Sequence, residues 1–277
     1  MQQQMLDTAV TLGQIQQQLS TVANNIANVD TTGYKSRSAN FSDLLVQSLN
    51  NITPGDDKLD QANRLTPNGI RLGSGAKVGD TQLDTSAGAL QQTGNPLDLA
   101  LTNDQQYFTV SLNGATAYTR AGNFNTEPAG GNRLRLLTKS GQAVLGANGQ
   151  PMTLPAGYSD VQISSAGDVT AVMPSGARVN AGRLGIVQIN RPQLLKSQGD
   201  SLFTLPNLGS LGIGLNQVVQ PANAANGSVA QGKLEGSNVD LTDEMTNLIN
   251  LERNYQMNAR SISMSDQMSG LVNGLLH

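Results

Sequence analysis

The chain has 277 residues and a formal net charge of −3, from 17 Lys and Arg against 20 Asp and Glu. That length holds one large or two modest domains, and a slightly acidic chain with few cations is a poor match for nucleic acid. Cysteine is absent and the single histidine is the last residue, His277, which excludes disulfides, thiolate chemistry and multi-histidine metal sites, so no cofactor is expected.

The chain starts with Met1 to Met5 through three glutamines, which is neither the basic n-region nor the apolar h-region of a cleaved secretory signal. Met5, Leu12, Leu19 and Ile26 then recur every seven residues, and Thr8, Ile15, Val22 and Val29 run beside them. Together they form one stripe, which predicts a helix over 3–29 in coiled-coil spacing. Its one charge, Asp7, is placed in the first turn, where a carboxylate is favoured. Asp30-Thr31-Thr32-Gly33 ends it, with Gly33 as the turn or cap glycine. Gly13 costs the helix about 1 kcal/mol relative to alanine. It is either simply tolerated or marks close approach by a neighbouring helix.

Residues 46–95 are rich in Gly, Asn, Asp and Pro, and no helical period persists there. Short apolar runs follow, punctuated by Asn113-Gly114, Gly130-Gly131, Asn148-Gly149 and Ser175-Gly176. They predict strands at 97–101, 106–112, 116–120, 134–138, 143–145, 161–164, 169–173, 177–181 and 184–190, an all-β segment with tight turns. Residues 206–238 are again Gly- and Asn-rich and return the chain toward a final helix. That helix is predicted over 240–274, with Asp240 or Ser237 as cap and Asp243 and Glu244 in its first turns. Leu241, Leu248, Tyr255 and Ile262 repeat at seven. Met245, Leu251, Asn258 and Ser265 fill a companion track in part, and Met268, Val272 and Leu275 extend the apolar face.

The predicted fold class is therefore mixed: long N- and C-terminal helices, paired antiparallel like a coiled coil, flanking a central all-β domain. The division is 1–32 with 239–277 as a helical inner domain, 33–75 with 214–238 as an extended joint, and 76–213 as a β-rich outer domain. Neither helix buries its stripe on itself, so each stripe faces the other helix or copies of the same protein. Charged residues make up only 13% of the chain, against 27 Asn and 25 Gln; an ordinary soluble domain carries about 25% charged residues. A neutral polar surface suits a subunit packed among others. Aromatics at 3% argue against an aromatic-lined ligand pocket, and no run approaches the roughly 18 apolar residues of a membrane-spanning helix.

Candidate contact residues follow from the stripes: Leu12, Leu19 and Ile26 on the first helix, and Leu241, Met245, Leu248, Tyr255 and Ile262 on the last. Asn24, Asn25 and Asn28 serve either local capping or hydrogen bonds to a partner chain. Arg253 and Arg260, seven apart, are either a solvated face or interchain ion-pair donors. Catalytic chemistry has little to stand on. Asp240 and Glu244, one turn apart, are the one paired-carboxylate candidate; helix-terminal charge explains them as well. Asp56-Asp57 through Asp60 lacks the ligand alternation of a calcium loop, and Gly73-Ser74-Gly75 lacks the spacing of a phosphate loop.

Four blocks carry a resemblance. Asn24-Asn25-Ile26-Ala27-Asn28 followed by Thr32-Gly33-Tyr34-Lys35 resembles the N-terminal signature of bacterial flagellar rod and hook proteins. Gly236-Ser237-Asn238-Val239-Asp240-Leu241, with Arg253-Asn254-Tyr255-Gln256 and Asn258-Ala259-Arg260, resembles their C-terminal signature. Thr93-Gly94-Asn95-Pro96-Leu97-Asp98-Leu99-Ala100 and Tyr118-Thr119-Arg120-Ala121-Gly122-Asn123-Phe124 are similar to their β-domain blocks. Within the family, residues 50–79, including Leu65 to Gly75, resemble the extra segment by which distal rod subunits differ from hook subunits. One departure is visible: Asp104-Gln105-Gln106-Tyr107-Phe108 keeps two aromatics but lacks the family's glycine.

The resemblance implies a non-enzymatic axial subunit of the flagellar basal body, in the cell envelope. Such a subunit polymerises helically with itself and contacts adjacent rod and hook proteins. It is exported through the flagellar type III apparatus without a cleaved signal. A hook or proximal rod subunit is the nearest alternative. A secreted cell-wall hydrolase using Asp240 and Glu244, or a surface adhesin, are alternatives of other classes.

Overall fold

The computed structural model describes residues 2–43, 46–48, 71–73, 76–199, 201–212, 214–222 and 228–275. The chain divides into two compact units. One comprises 1–24, 38–82 and 242–277, the other 25–37 and 83–241.

The first unit contains most of two long helices, α1 (Gln2–Ala27) and, after the short helix α2 (Leu215–Val218) of the second unit, α3 (Leu241–Leu275). Both match the predicted spans to within a residue or two. On α1 the two seven-residue series are the covered face: Ile15 and Val22 are buried, and Thr8, Leu12, Leu19, Ile26 and Val29 are half-buried. Asp7 lies beyond the first turn, because α1 begins at Gln2 and its first turn holds no acid. A methyl group at Gly13 would meet nothing within 4 Å among the described residues, so no close approach of a described helix accounts for that glycine. Two short ladders complete the described part of this unit: Arg37–Asp43 beside Ala76–Leu83, and Val46–Ser48 paired antiparallel with Arg71–Gly73. The segment 50–79 singled out in the sequence lies mostly outside the described residues.

The second unit is the β unit. Its main sheet runs in the order Thr153–Pro155, Arg133–Thr138, Ala143–Val144, Gln106–Leu112, Ala115–Thr119, Leu202–Thr204, Lys196–Gly199. Ile186–Ile189 also pairs with Gln106–Leu112, and Phe124–Gly130 with Arg133–Thr138. The hairpin from Gln106–Leu112 to Ala115–Thr119 turns at Asn113-Gly114 with φ of 51° and 82°, as that dipeptide predicts. A three-stranded sheet, Asp160–Ile163, Asp168–Val172 and Arg178–Arg183, supplies Val161, Ile163, Val169 and Ala171 to the core.

Strand alternation splits the interior in two. Phe108, Val110 and Ala117 join Leu99, Leu101, Phe124, Leu136 and Leu154 in one cluster. Tyr107 and Tyr118, pointing the other way, join Ile189, Phe203, Leu208 and Val218 in a second. Edge-to-face ring pairs sit in each, Phe108–Phe124 at 5.2 Å and Tyr107–Phe203 at 5.9 Å. The predicted strands over 97–190 all occur. Strands at 90–92, 124–130, 153–155, 196–199, 202–204, 219–221, 229–231 and 233–235 were not anticipated.

Candidate functional site: helix faces and the junction cluster

The helix faces come first. On α3 the half-buried residues are Glu244, Leu248, Leu251, Tyr255, Asn258, Ala259, Ile262 and Ser265, alternating in steps of three and four except for Ala259. This is the predicted stripe with one correction. Its companion track starts at Glu244; Met245, beyond the edge of the covered face, is 43% exposed, as is Leu241, the first residue of the helix. Gln16 of α1 donates through Nε2 to the Tyr255 hydroxyl at 3.4 Å, within the same unit.

A second stripe runs along α3. Met257, Met264, Met268 and Leu271 are exposed by 64, 57, 52 and 69%. At 3.6 residues per turn they lie opposite Leu248, Tyr255 and Ile262. Arg253 and Arg260, also exposed, fall on the same outer face as these methionines. An exposed apolar stripe of this length is a candidate contact surface.

The polar residues divide differently. Asn25 is buried. Its Nδ2 donates to the Arg37 carbonyl at 2.9 Å, and its Oδ1 accepts from the Tyr34 hydroxyl and the Arg37 amide, each at 3.1 Å. Of the two readings of Asn25, these bonds fit the local one: its amide folds the chain back at the end of α1. Asn24 donates one turn back to the Ser20 carbonyl, and Asn28 accepts from Thr31. Asp240 is exposed and Glu244 half-buried.

The β unit holds a cluster that the sequence did not single out. Lys35, Arg120 and Glu235 have no exposed side-chain surface. Three hydrogen-bond donors and a further ion-pair contact converge on the Glu235 carboxylate. Oε1 accepts from Lys35 Nζ at 2.7 Å and the Gly88 amide at 3.1 Å, and Oε2 accepts from Arg120 Nε at 2.8 Å and lies 2.6 Å from Arg120 Nη2. The rest of the guanidinium donates to the carbonyls of Asn103, Gln106 and Leu101. Lys35 also donates to the Ser86 carbonyl. Burial lowers the Lys35 ammonium pKa below the usual lysine range, with Glu235 pulling the other way.

Local sequence explains the approach. Gly33, with φ of 66°, presses against the backbone of Arg120 and Ala121, where any Cβ collides. Gly88 meets the Gly236 carbonyl in the same way. Beside the cluster, Tyr107 stacks under Arg120 at 5.8 Å, and its buried hydroxyl has no hydrogen-bond partner among the described residues. Burial pushes that phenol up to about 12. Among the described residues no group of His, Cys, Asp and Glu has the arrangement of a metal site. No helix among them is long and apolar enough to cross a membrane.

These features are those of a structural protein: a β unit, and a second unit with two long helices whose surfaces carry apolar stripes. Comparison with known proteins identifies the family. Residues 6–35 match the flagella basal body rod protein family, 102–171 the flagellar hook protein FlgE/F/G D1 domain, and 230–275 the flagellar basal body rod FlgEFG protein C-terminal family. The flagellar hook-basal body complex protein FlhP of Bacillus subtilis is 39% identical over 273 residues, covering 98% of both chains. The flagellar basal-body rod proteins FlgG of Agrobacterium fabrum and Bacillus subtilis are 35% and 36% identical. The first alignment covers 93% of each chain, as does the second. The chain belongs to the flagellar basal-body rod and hook protein family, whose members are axial structural subunits of the flagellar basal body.

Proposed function

We propose that the chain is a rod subunit of the distal-rod type, polymerising helically into a stiff shaft that transmits torque to the hook. The observation that carries this reading is the pair of stripes on α3. The inner one, Leu248–Tyr255–Ile262, faces its own unit. The outer one, with Met257, Met264, Met268 and Leu271 on the same face as Arg253 and Arg260, is exposed among the described residues. Neighbouring subunits cover it, and heterologous contacts between identical chains generate an open filament. The helices of 1–32 and 239–277 then form the inner tube, 33–75 with 214–238 the joint, and 76–213 the outer layer. In this reading the two helices pair antiparallel, adjacent rod and hook proteins are the other partners, and the flagellar type III apparatus exports the chain without a cleaved signal. Similarity to FlgG proteins over nearly the whole chain supports the rod over the hook.

Leu19→Asp and Leu248→Asp test the reading. A charge forced into either covered stripe opens the contact or is buried unpaired. Both variants are expected to lose polymer seen by electron microscopy, while the β unit melts as in the wild type. Normal polymers from both would refute the inner tube.

A further inference from the structure

The cluster at Glu235 joins parts of the chain up to 200 residues apart, and its charges are unequal. Arg120 and Glu235 form a neutral pair, positioned by the Leu101, Asn103 and Gln106 carbonyls. Lys35 adds a second cation. Its seat exists only while the carboxylate faces it, since otherwise two cations share a site without water.

The main chain closes at the same point. The Gly33 amide donates to the Glu235 carbonyl at 2.8 Å, and the Ser36 amide to Asn238 Oδ1 at 2.7 Å. The Asp84 amide donates to the Ser36 carbonyl at 2.9 Å, and the Gly236 amide to the Ala89 carbonyl at 2.8 Å. The Asn238 amide nitrogen donates to Asp84 and Ser86. Residues 33–37 lead out of α1, and residues 233–240 lead into α3.

We propose that the Lys35–Glu235 contact is a latch that makes the seating of these two segments on the β unit mutually conditional. The ammonium of Lys35 finds its counter-charge only in a carboxylate delivered by 233–238, and 233–238 in turn loses Lys35 and the Gly33 and Ser36 amides when 33–37 detaches. Coupling of this kind is reciprocal: whatever loosens one segment loosens the other by the same factor. A chain with one end unseated therefore does not hold the root of the other helix. The latch acts within a single chain, so its test is made on dilute monomer and is independent of the assembly reading.

The experiment is hydrogen exchange on full-length Lys35→Met. Methionine keeps the apolar stem and leaves the neutral Arg120–Glu235 pair in place, so the β unit still folds. The Gly33 and Ser36 amides are expected to exchange about tenfold faster, with a matching acceleration at Gly88 and Gly236. The Thr109 and Leu136 amides, bonded to the Gly185 and Met152 carbonyls in the core, are expected to stay as slow as in the wild type. Asn238→Ala, which cuts the contact from the other segment, is expected to accelerate Gly33 as well. Acceleration confined to the mutated segment would overturn the mutual condition. Equal acceleration through the core, or none at all, would overturn the latch.

Discussion

Replacing Glu235 by glutamine changes one atom of acceptor chemistry at the centre of the β unit. The carboxylate offers only acceptors, and cations and an amide meet it: Lys35 Nζ and the Gly88 amide at Oε1, and the Arg120 guanidinium at Oε2, through a hydrogen bond from Nε and an ion-pair contact with Nη2. A glutamine must turn its own N–H2 toward one of these pairs. Either the guanidinium or the ammonium and amide then face a donor, with no water to take up the loss, since all three side chains are fully covered. Breaking a buried ion pair on one side costs about 3–5 kcal/mol, and the oxygen that glutamine keeps holds the loss near about 3 kcal/mol. For a unit of this size that lowers the melting temperature by roughly 6–12 °C. Lys35→Met removes a cation that burial already disfavours. It loses two hydrogen bonds but gains relief from desolvation, so it costs about 1–2 kcal/mol. The assay is thermal unfolding of both full-length variants by circular dichroism. The order Glu235→Gln well below Lys35→Met, below wild type, is expected. A Glu235→Gln protein melting with the wild type, or above Lys35→Met, would refute the view of Glu235 as the hub.

Tyr107→Phe removes a buried hydroxyl without a partner and keeps the ring contacts, so it is expected to raise stability by up to about 1 kcal/mol in a urea titration; a clear loss would show that the hydroxyl is satisfied. Because the folded Tyr107 titrates at about 12 instead of 10, its contribution is complete below pH 10 and is lost as pH rises from 10 to 12, and the variant should show a shallower alkaline loss in denaturation profiles. Lys35, lowered in the folded state, has the opposite sign: its penalty is relieved as pH approaches 10.5 from below, so Lys35→Met should flatten that rise. Gly33→Ala puts a methyl group against the backbone of Arg120 and Ala121 at positive φ; it is expected to destabilise the β unit by about 2 kcal/mol or more, and an unchanged melt would refute the close approach.

The helices were legible because a seven-residue period survives a polar sequence. The face read from Leu12, Leu19 and Ile26 with Ile15 and Val22 is the covered face of α1. On α3 the track was read from Met245 instead of Glu244 because an acid on a half-buried face has no apolar signature, and Met268, which belongs to the outer stripe, was read as part of the same face. The strand Phe124–Gly130 contains Pro128 and two residues later a glycine, so its local pattern argues against a strand; pairing to Arg133–Thr138 overrides it. The Glu235 cluster lay beyond reach for another reason. Lys35 and Arg120 stand inside recognised blocks and Glu235 borders one, but nothing local tells residues separated by 115 and 200 positions that they meet. The available signal was weak: Arg120 directly follows the strand Ala115–Thr119, whose last three residues are buried, in a chain that uses few charges. Asn25 likewise gave no sign that its partners were Tyr34 and Arg37.

Electron cryo-microscopy of the polymer formed by the full chain tests the central claim most directly. The account predicts a tube lined by α1 and α3, with density from a neighbouring subunit packed on Met257, Met264, Met268 and Leu271 and an acidic or carbonyl partner within reach of Arg253 and Arg260. A polymer in which this outer face of α3 stays in solvent, with the β units alone making the contacts between subunits, would contradict it.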